Sequence, residues 1–145
     1  MIKVIAFDFG GVIYNYNHSV LMRDVAKELK QPELVGSQDA DITIIAAGST
    51  KGPIKEAMIL LEKEGIKVNF LQIVYLNPFP SEKVAEVLGS AKKTAVVENN
   101  FSGQLADIIR EKTGKDVDKR ILKYDGRPFY PEEIFTAIKE VVTHG

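Results

Sequence analysis

The stretch Ile42-Thr43-Ile44-Ile45-Ala46-Ala47-Gly48-Ser49-Thr50-Lys51-Gly52-Pro53 decides how this chain is read. Its first six residues are mostly apolar and fit a short buried strand. A glycine turn follows, with a hydroxyl to cap the next helix and a proline near its first position. Residues 53–64 then carry Ile54, Ala57, Met58, Leu60 and Leu61 at helical spacing, and Gly65 stands where a helix C-terminus favours glycine.

The same alternation continues toward the C-terminus. Residues 67–75 read as a strand, Asn77-Pro78-Phe79-Pro80 as a loop, and Ser81 with Glu82 and Glu86 as the opening of a helix. Residues 93–98 form the next strand, 99–103 a polar turn and 103–113 a helix. A short strand over 120–124, a turn at Asp125-Gly126-Arg127-Pro128 and a closing helix over 131–142 complete the series. Strands and helices alternating through short loops predict an α/β layered fold with a mostly parallel sheet. Toward the N-terminus, residues 31–41 are polar and lack a period, and 34–41 read as a linker. Leu21, Val25 and Leu29 share one helical face within 18–30, and Pro32 stops that helix. Residues 2–9 are apolar, rich in β-branched side chains and closed by Gly10-Gly11, which predicts one further strand.

The chain has 145 residues and a mass of 16.1 kDa, room for one compact domain and a short extension. It contains no cysteine, which excludes disulfides, a cysteine nucleophile, thiolate zinc sites and cysteine-ligated iron–sulfur clusters on these residues. With 19 basic and 20 acidic residues the net charge is −1, and neither nucleic acid nor a membrane surface is expected as a partner. The apolar run at the N-terminus stops at Asp8, too early for a signal peptide, and no stretch approaches the roughly 18 apolar residues of a spanning helix. A cytoplasmic location is the expectation.

Ligands of open α/β sheets bind beyond the carboxyl ends of the strands. Four such ends are polar here: Asp8-Phe9-Gly10-Gly11, Gly48-Ser49-Thr50-Lys51, Glu98-Asn99-Asn100 and Asp125-Gly126-Arg127. Gly48, Ser49 and Thr50 precede a helix N-terminus, where backbone N–H groups can hold an anion, or the hydroxyl simply caps the helix. Their spacing is not that of a phosphate loop. Glu98 at a strand end can serve as acid or base, or can belong to an N-cap cluster with Asn99 and Asn100 and pair with a nearby cation. Arg127, on a rigid turn, can offer its guanidinium to a carboxylate of a neighbouring domain or lie free on the surface. Phe129 beside Tyr130 in the same region reads either as an interface aromatic or as a cover for the last helix. His18 and His144 have no metal-ligand spacing, and no metal site is expected.

Five segments carry a resemblance. They are Gly48-Ser49-Thr50, Glu62-Lys63-Glu64-Gly65-Ile66-Lys67-Val68 and Leu76-Asn77-Pro78-Phe79-Pro80, then Glu98-Asn99-Asn100-Phe101-Ser102-Gly103-Gln104-Leu105, and last the run from Tyr124-Asp125-Gly126-Arg127-Pro128 to Ile134. Over residues 39–142 the chain resembles the transketolase C-terminal-like domain, core domain II, of the 2-oxoacid:ferredoxin oxidoreductase alpha subunit. It departs at Ala47, where many relatives have tryptophan. The resemblance implies a three-layer α/β/α sandwich with a mixed, mostly parallel sheet of about five strands, to which residues 2–9 would add one more. It implies no cofactor on this chain: thiamine diphosphate, magnesium and iron–sulfur clusters sit on other domains or subunits, which are its partners. Homo-oligomeric assembly is expected. Gly48, Ser49, Thr50, Glu98, Asn99, Asn100, Gly103, Gln104, Asp125, Gly126, Arg127 and Phe129 are then candidates for an anion or interface site, and none is expected to be catalytic.

Residues 1–30 are different. Ile2-Lys3-Val4-Ile5-Ala6-Phe7-Asp8-Phe9-Gly10-Gly11-Val12-Ile13-Tyr14 resembles the first strand motif of haloacid dehalogenase-like hydrolases, whose aspartate, here Asp8, accepts a phosphoryl group. Gly10 replaces the usual second aspartate, and no later magnesium-binding acidic pair or matching lysine follows. The chain therefore divides into a hydrolase-like strand–helix prefix at 1–33, a linker at 34–41 and a transketolase C-terminal-like domain at 42–145. The functional expectation is a non-catalytic assembly domain of an oxidoreductase alpha subunit. The alternatives are a small phosphatase using Asp8 and a stand-alone α/β binding module.

Overall fold

Alternate residues along a strand face opposite sides of its sheet, and the run at 42–47 is apolar on both. The computed structural model describes residue 25 and residues 28–144. Their elements are β1 (Leu34–Gly36), β2 (Ile42–Ala47), a 3-10 turn (Gly48–Thr50), α1 (Lys51–Lys63), β3 (Val68–Ile73), α2 (Ser81–Ser90), β4 (Thr94–Glu98), α3 (Gln104–Thr113), β5 (Lys119–Leu122) and α4 (Pro131–His144). One five-stranded sheet has the order β1-β3-β2-β4-β5. Strands β2 to β5 run parallel, and β1 pairs antiparallel with β3.

In the central register Ile44 stands beside Phe70 of β3 and Ala95 of β4. These three meet Ile54, Ala57 and Leu61 of α1 and Ile134 and Ile138 of α4 on one face. On the other face Ile45, Leu71 and Val96 meet Val84 and Val87 of α2 and Leu105, Ala106 and Ile109 of α3. The result is the expected three-layer α/β/α sandwich with a mixed sheet. Each fully buried isoleucine or leucine contributes about 1.5–3 kcal/mol, so the two faces hold the layers together without any covalent link.

Two sequence readings change. Residues 34–41 are not a plain linker, because Leu34–Gly36 form the antiparallel edge strand. Gly36 makes that approach feasible: at φ 132° a Cβ would lie 2.3 Å from the Val68 carbonyl oxygen. The remainder of the segment is pinned as well. Asp39 pairs with Lys92 at 2.7 Å, and the Asp41 carboxylate accepts the Lys67 N–H at 3.0 Å. Thr50 does not cap α1 either. Its buried hydroxyl donates backward to the Ala47 carbonyl at 3.2 Å, tightening the turn. The strand expected at 2–9 lies outside the described residues.

Candidate functional site

The chain leaves the carboxyl end of β2 toward β3 on one side, and β4 lies on the other, so the topological switch falls between β2 and β4. A hollow of about 300 Å³ opens there, lined by Gly48, Ser49, Thr50, Asn99, Asn100 and Gln104 among others. It adjoins a second hollow of about 460 Å³ that Ser49 and Asn99 share with Tyr124, Gly126 and Arg127. Three of the four polar strand ends therefore converge as expected. Asp8, the fourth, lies outside the described residues.

Glu98 is the deepest charged group of this region, 6% exposed. Its Oε2 accepts the Leu105 N–H at 2.7 Å and the Asn100 side-chain amide at 2.7 Å, and its Oε1 accepts the Ala106 N–H at 3.1 Å. Asn100 Oδ1 accepts the Gly103 N–H at 2.6 Å. The carboxylate thus serves the open N-terminus of α3, where the helix dipole favours negative charge. Of the two parts of the N-cap reading the capping holds, and the cation does not: amides occupy Glu98, and no lysine or arginine pairs with it among the described residues. Gly103 belongs to the same arrangement. At φ 74° it turns the chain into α3, and a Cβ there would meet the Arg120 side chain at 3.3 Å.

Arg127 faces its own turn. Its Nη2 donates to Asp125 Oδ2 at 2.6 Å, its Nε to the same oxygen at 3.0 Å, and its N–H to Asp125 Oδ1 at 3.0 Å. This guanidinium and then this N–H hold the Asp125 carboxyl below the usual aspartate range. Asn99 Nδ2 reaches the Arg127 carbonyl at 3.4 Å, so the β4 and β5 ends are tied together. Of the two readings of Phe129, the structure takes the buried one. Phe129 is 6% exposed and joins the α1–α4 core. Lys123 sits above it at 5.7 Å from the ring centre and 5.2 Å from that of Tyr130. Its ammonium donates to both oxygens of Glu133 at 2.7 Å and to the Pro128 carbonyl at 3.0 Å.

Sequence reasoning missed the exposed aromatics here. Phe101 and Tyr124 are 71% and 67% exposed and form an edge-to-face pair with ring centres 4.9 Å apart at 88°. Leu76, half exposed, lines the first hollow. Their signal was legible: Phe101 lies between Asn100 and Ser102, and Tyr124 precedes Asp125-Gly126, both surface-turn contexts. Among the described residues no group of three acidic, histidine or cysteine side chains is placed to hold a metal ion, and no helix is long and apolar enough to cross a membrane. An iron–sulfur cluster does not fit this chain, which has no cysteine to ligate one.

Residues 40–134 match the family described as pyruvate:ferredoxin oxidoreductase core domain II. The chain is similar to the alpha subunit of 2-oxoacid:ferredoxin oxidoreductase 2 from Aeropyrum pernix, 39% identical over 112 residues, which is 77% of this chain and 17% of that protein. The chain thus spans less than a fifth of the length of the first curated relatives that it matches. Among solved structures it is similar to 2-oxoglutarate:ferredoxin oxidoreductase from Magnetococcus marinus, with 34% identity and a TM-score of 0.78 over 88% of this chain and 23% of that one. It also resembles the alpha chain of a probable 2-oxoacid ferredoxin oxidoreductase from Thermoplasma acidophilum, with 41% identity, a TM-score of 0.56, and coverage of 77% and 97%. A split-gene transketolase, 18% identical with a TM-score of 0.60 over 77% of this chain and 41% of that one, shares the fold.

Proposed function

The chain belongs to the pyruvate:ferredoxin oxidoreductase core domain II family, and from that premise we propose that it is a non-catalytic assembly domain of a cytoplasmic 2-oxoacid:ferredoxin oxidoreductase alpha subunit. The observation that carries the non-catalytic reading is Glu98. A carboxylate at the topological switch of an α/β sheet is the natural place for acid–base chemistry. Here both its oxygens are already engaged by the α3 backbone and Asn100, so in this reading it acts as a structural cap of α3.

In this reading thiamine diphosphate, magnesium and iron–sulfur clusters are carried by other domains or subunits. The α/β domain, with β1 as its edge strand, contributes surface to them and to a second copy of itself. Gly48, Ser49, Asn99, Gln104 and Arg127 form the polar part of that surface, with Phe101 and Tyr124 as its aromatic part. The test is co-purification of the tagged chain with the beta and gamma subunits of the oxidoreductase. Retention of either subunit at near-stoichiometric yield is expected. Failure to retain either would favour a stand-alone module. Magnesium-dependent hydrolysis of p-nitrophenyl phosphate that disappears in Asp8→Asn would overturn the reading altogether.

A further inference from the structure

Asp125-Gly126 is the one place in the sequence where an aspartate or asparagine precedes a glycine. That dipeptide has a chemistry of its own. The backbone nitrogen of the glycine attacks the side-chain carboxyl carbon of the aspartate, a C–N bond forms, and one carboxyl oxygen leaves as water. The five-membered succinimide then takes water back at either carbonyl. One route returns aspartate, and the other leaves isoaspartate, with one extra methylene in the main chain. Glycine favours the attack because it has no side chain to shield its nitrogen. The carboxyl must be protonated for it, since water leaves readily and an oxide ion does not.

The turn leaves this pair open to the reaction. Asp125 and Gly126 are both exposed, between the end of β5 and the start of α4. Among the described residues nothing accepts the Gly126 N–H. Gly126 has φ 82°, and a Cβ there would meet nothing within 4 Å, so no packing holds it. The opposing contact is Arg127. Its Nη2 and Nε donate to Asp125 Oδ2 at 2.6 and 3.0 Å, and its N–H donates to Oδ1 at 3.0 Å. A carboxylate accepts at both oxygens, whereas the acid must turn one of them into a donor, so this clamp selects the ionised form. The guanidinium holds the carboxyl below the usual aspartate range, and Lys123, itself bound to Glu133, acts in the same direction. Asn99 steadies the far side of the turn by donating to the Arg127 carbonyl at 3.4 Å.

We propose that Asp125–Gly126 is the isomerisation-prone bond of this chain and that Arg127 guards it. The arginine keeps the Asp125 carboxyl in its unreactive form and fixes it on the N–H one residue beyond the attacking nitrogen. Isoaspartate at this position lengthens the connection from β5 to α4 and breaks the pair that closes it, beside the hollow shared by Ser49, Asn99 and Tyr124. This role accounts for an exposed guanidinium that folds back on its own turn, and it holds whether or not a partner meets the domain at this edge.

The test follows isoaspartate in the purified full chain at about pH 5, where an unpaired aspartate is partly protonated. Enzymatic methylation of isoaspartate gives its amount, and separation of the peptide carrying residues 124–127 gives its place. In the folded state Arg127→Ala should accumulate isoaspartate at least about threefold faster than the unaltered chain, the scale of one exposed ion pair. Arg127→Lys keeps the charge but not the two-pronged donor and should lie between them. In urea, where the clamp is absent, all three chains should react at closely similar rates, faster than the folded unaltered chain. Peptides carrying Asp116 and Asp118 are the internal reference and should not differ among the folded chains, whose fold circular dichroism checks. A folded variant of either kind that reacts no faster than the unaltered chain would overturn the proposal. So would an unaltered chain that reacts as fast folded as in urea, a comparison that stands even if both variants fail to fold.

Discussion

Glu98 has been moved from solvent into the interior to serve α3. A carboxylate 6% exposed is costly unless its oxygens are met by donors, and three donors at 2.7–3.1 Å meet them. No buried side-chain polar atom among the described residues lacks a partner, so a change here strands a group rather than relieving one. Glu98→Ala should lower the unfolding free energy in urea by about 2–4 kcal/mol, since two buried N–H groups lose their acceptor. Glu98→Gln keeps one acceptor oxygen and should cost about half of that. A loss below about 0.5 kcal/mol for Glu98→Ala, the scale of a neutral surface change, would show that water replaces the carboxylate and that the capping role is wrong. The sequence placed Glu98 at a strand end but left its partner open. The backbone N–H groups that it meets lie seven and eight residues on, and their arrival depends on the turn at Gly103.

The connection from β5 to α4 is an element held mainly by ions. Arg127 holds Asp125 in the turn. Lys123 holds Glu133, whose Oε2 also accepts the Tyr130 N–H at 2.8 Å. Hydrogen bonds from Arg127 keep the Asp125 carboxyl below its ordinary value, and hydrogen bonds from Lys123 and then from the Tyr130 N–H do the same for Glu133. Groups with lowered values in the folded state favour folding above their ordinary range and lose that contribution as pH falls through the lowered values. The connection should therefore keep its geometry down to about pH 4 and loosen only below it, where both carboxyls protonate. The backbone amide resonances of Arg127 and Tyr130 report this in an NMR titration. Their midpoints should lie below about 3.9 and 4.3 respectively, and Asp125→Asn should remove the transition at Arg127 alone. A midpoint at or above those ordinary values would mean that the pairs are not formed in solution. This connection read from sequence as a turn, and the structure shows one closed by the Asp125–Arg127 pair. What sequence did not show is that its basic groups are spent internally, with Phe129 drawn under Lys123 into the core.

At the scale of the whole molecule, the fold was legible wherever an apolar run alone determined the outcome. β2, β3 and β4 are buried on both faces and read as strands without any knowledge of their partners. β1 was not legible. It has three residues, all exposed and without alternation, and it becomes a strand only through main-chain pairing with β3. For the aromatics the turn context of Phe101 and Tyr124 was legible, but which ring is covered depends on the helix that packs over it. Of the two readings that sequence left open for Phe129 the buried one holds, while Phe101 and Tyr124 stand out beside the polar hollows at the carboxyl edge of the sheet. These two rings touch each other and contribute about 0.5–1.5 kcal/mol as an edge-to-face pair, which is small beside two complete core faces. Replacing both, as Phe101→Ser with Tyr124→Ser, should thus lower the melting temperature of the isolated chain by no more than about 5 °C. Aromatic anchors carry much of the energy at protein interfaces, and loss of a pair of them costs tenfold or more in affinity, about 1.4 kcal/mol for each tenfold. If the carboxyl edge is where the domain meets the rest of an oxidoreductase, the double variant should release the beta and gamma subunits at concentrations where the unaltered chain retains them, with the fold intact by circular dichroism. Full retention by a folded double variant would move the interface away from this edge and leave the rings as surface residues of the turns that bear them.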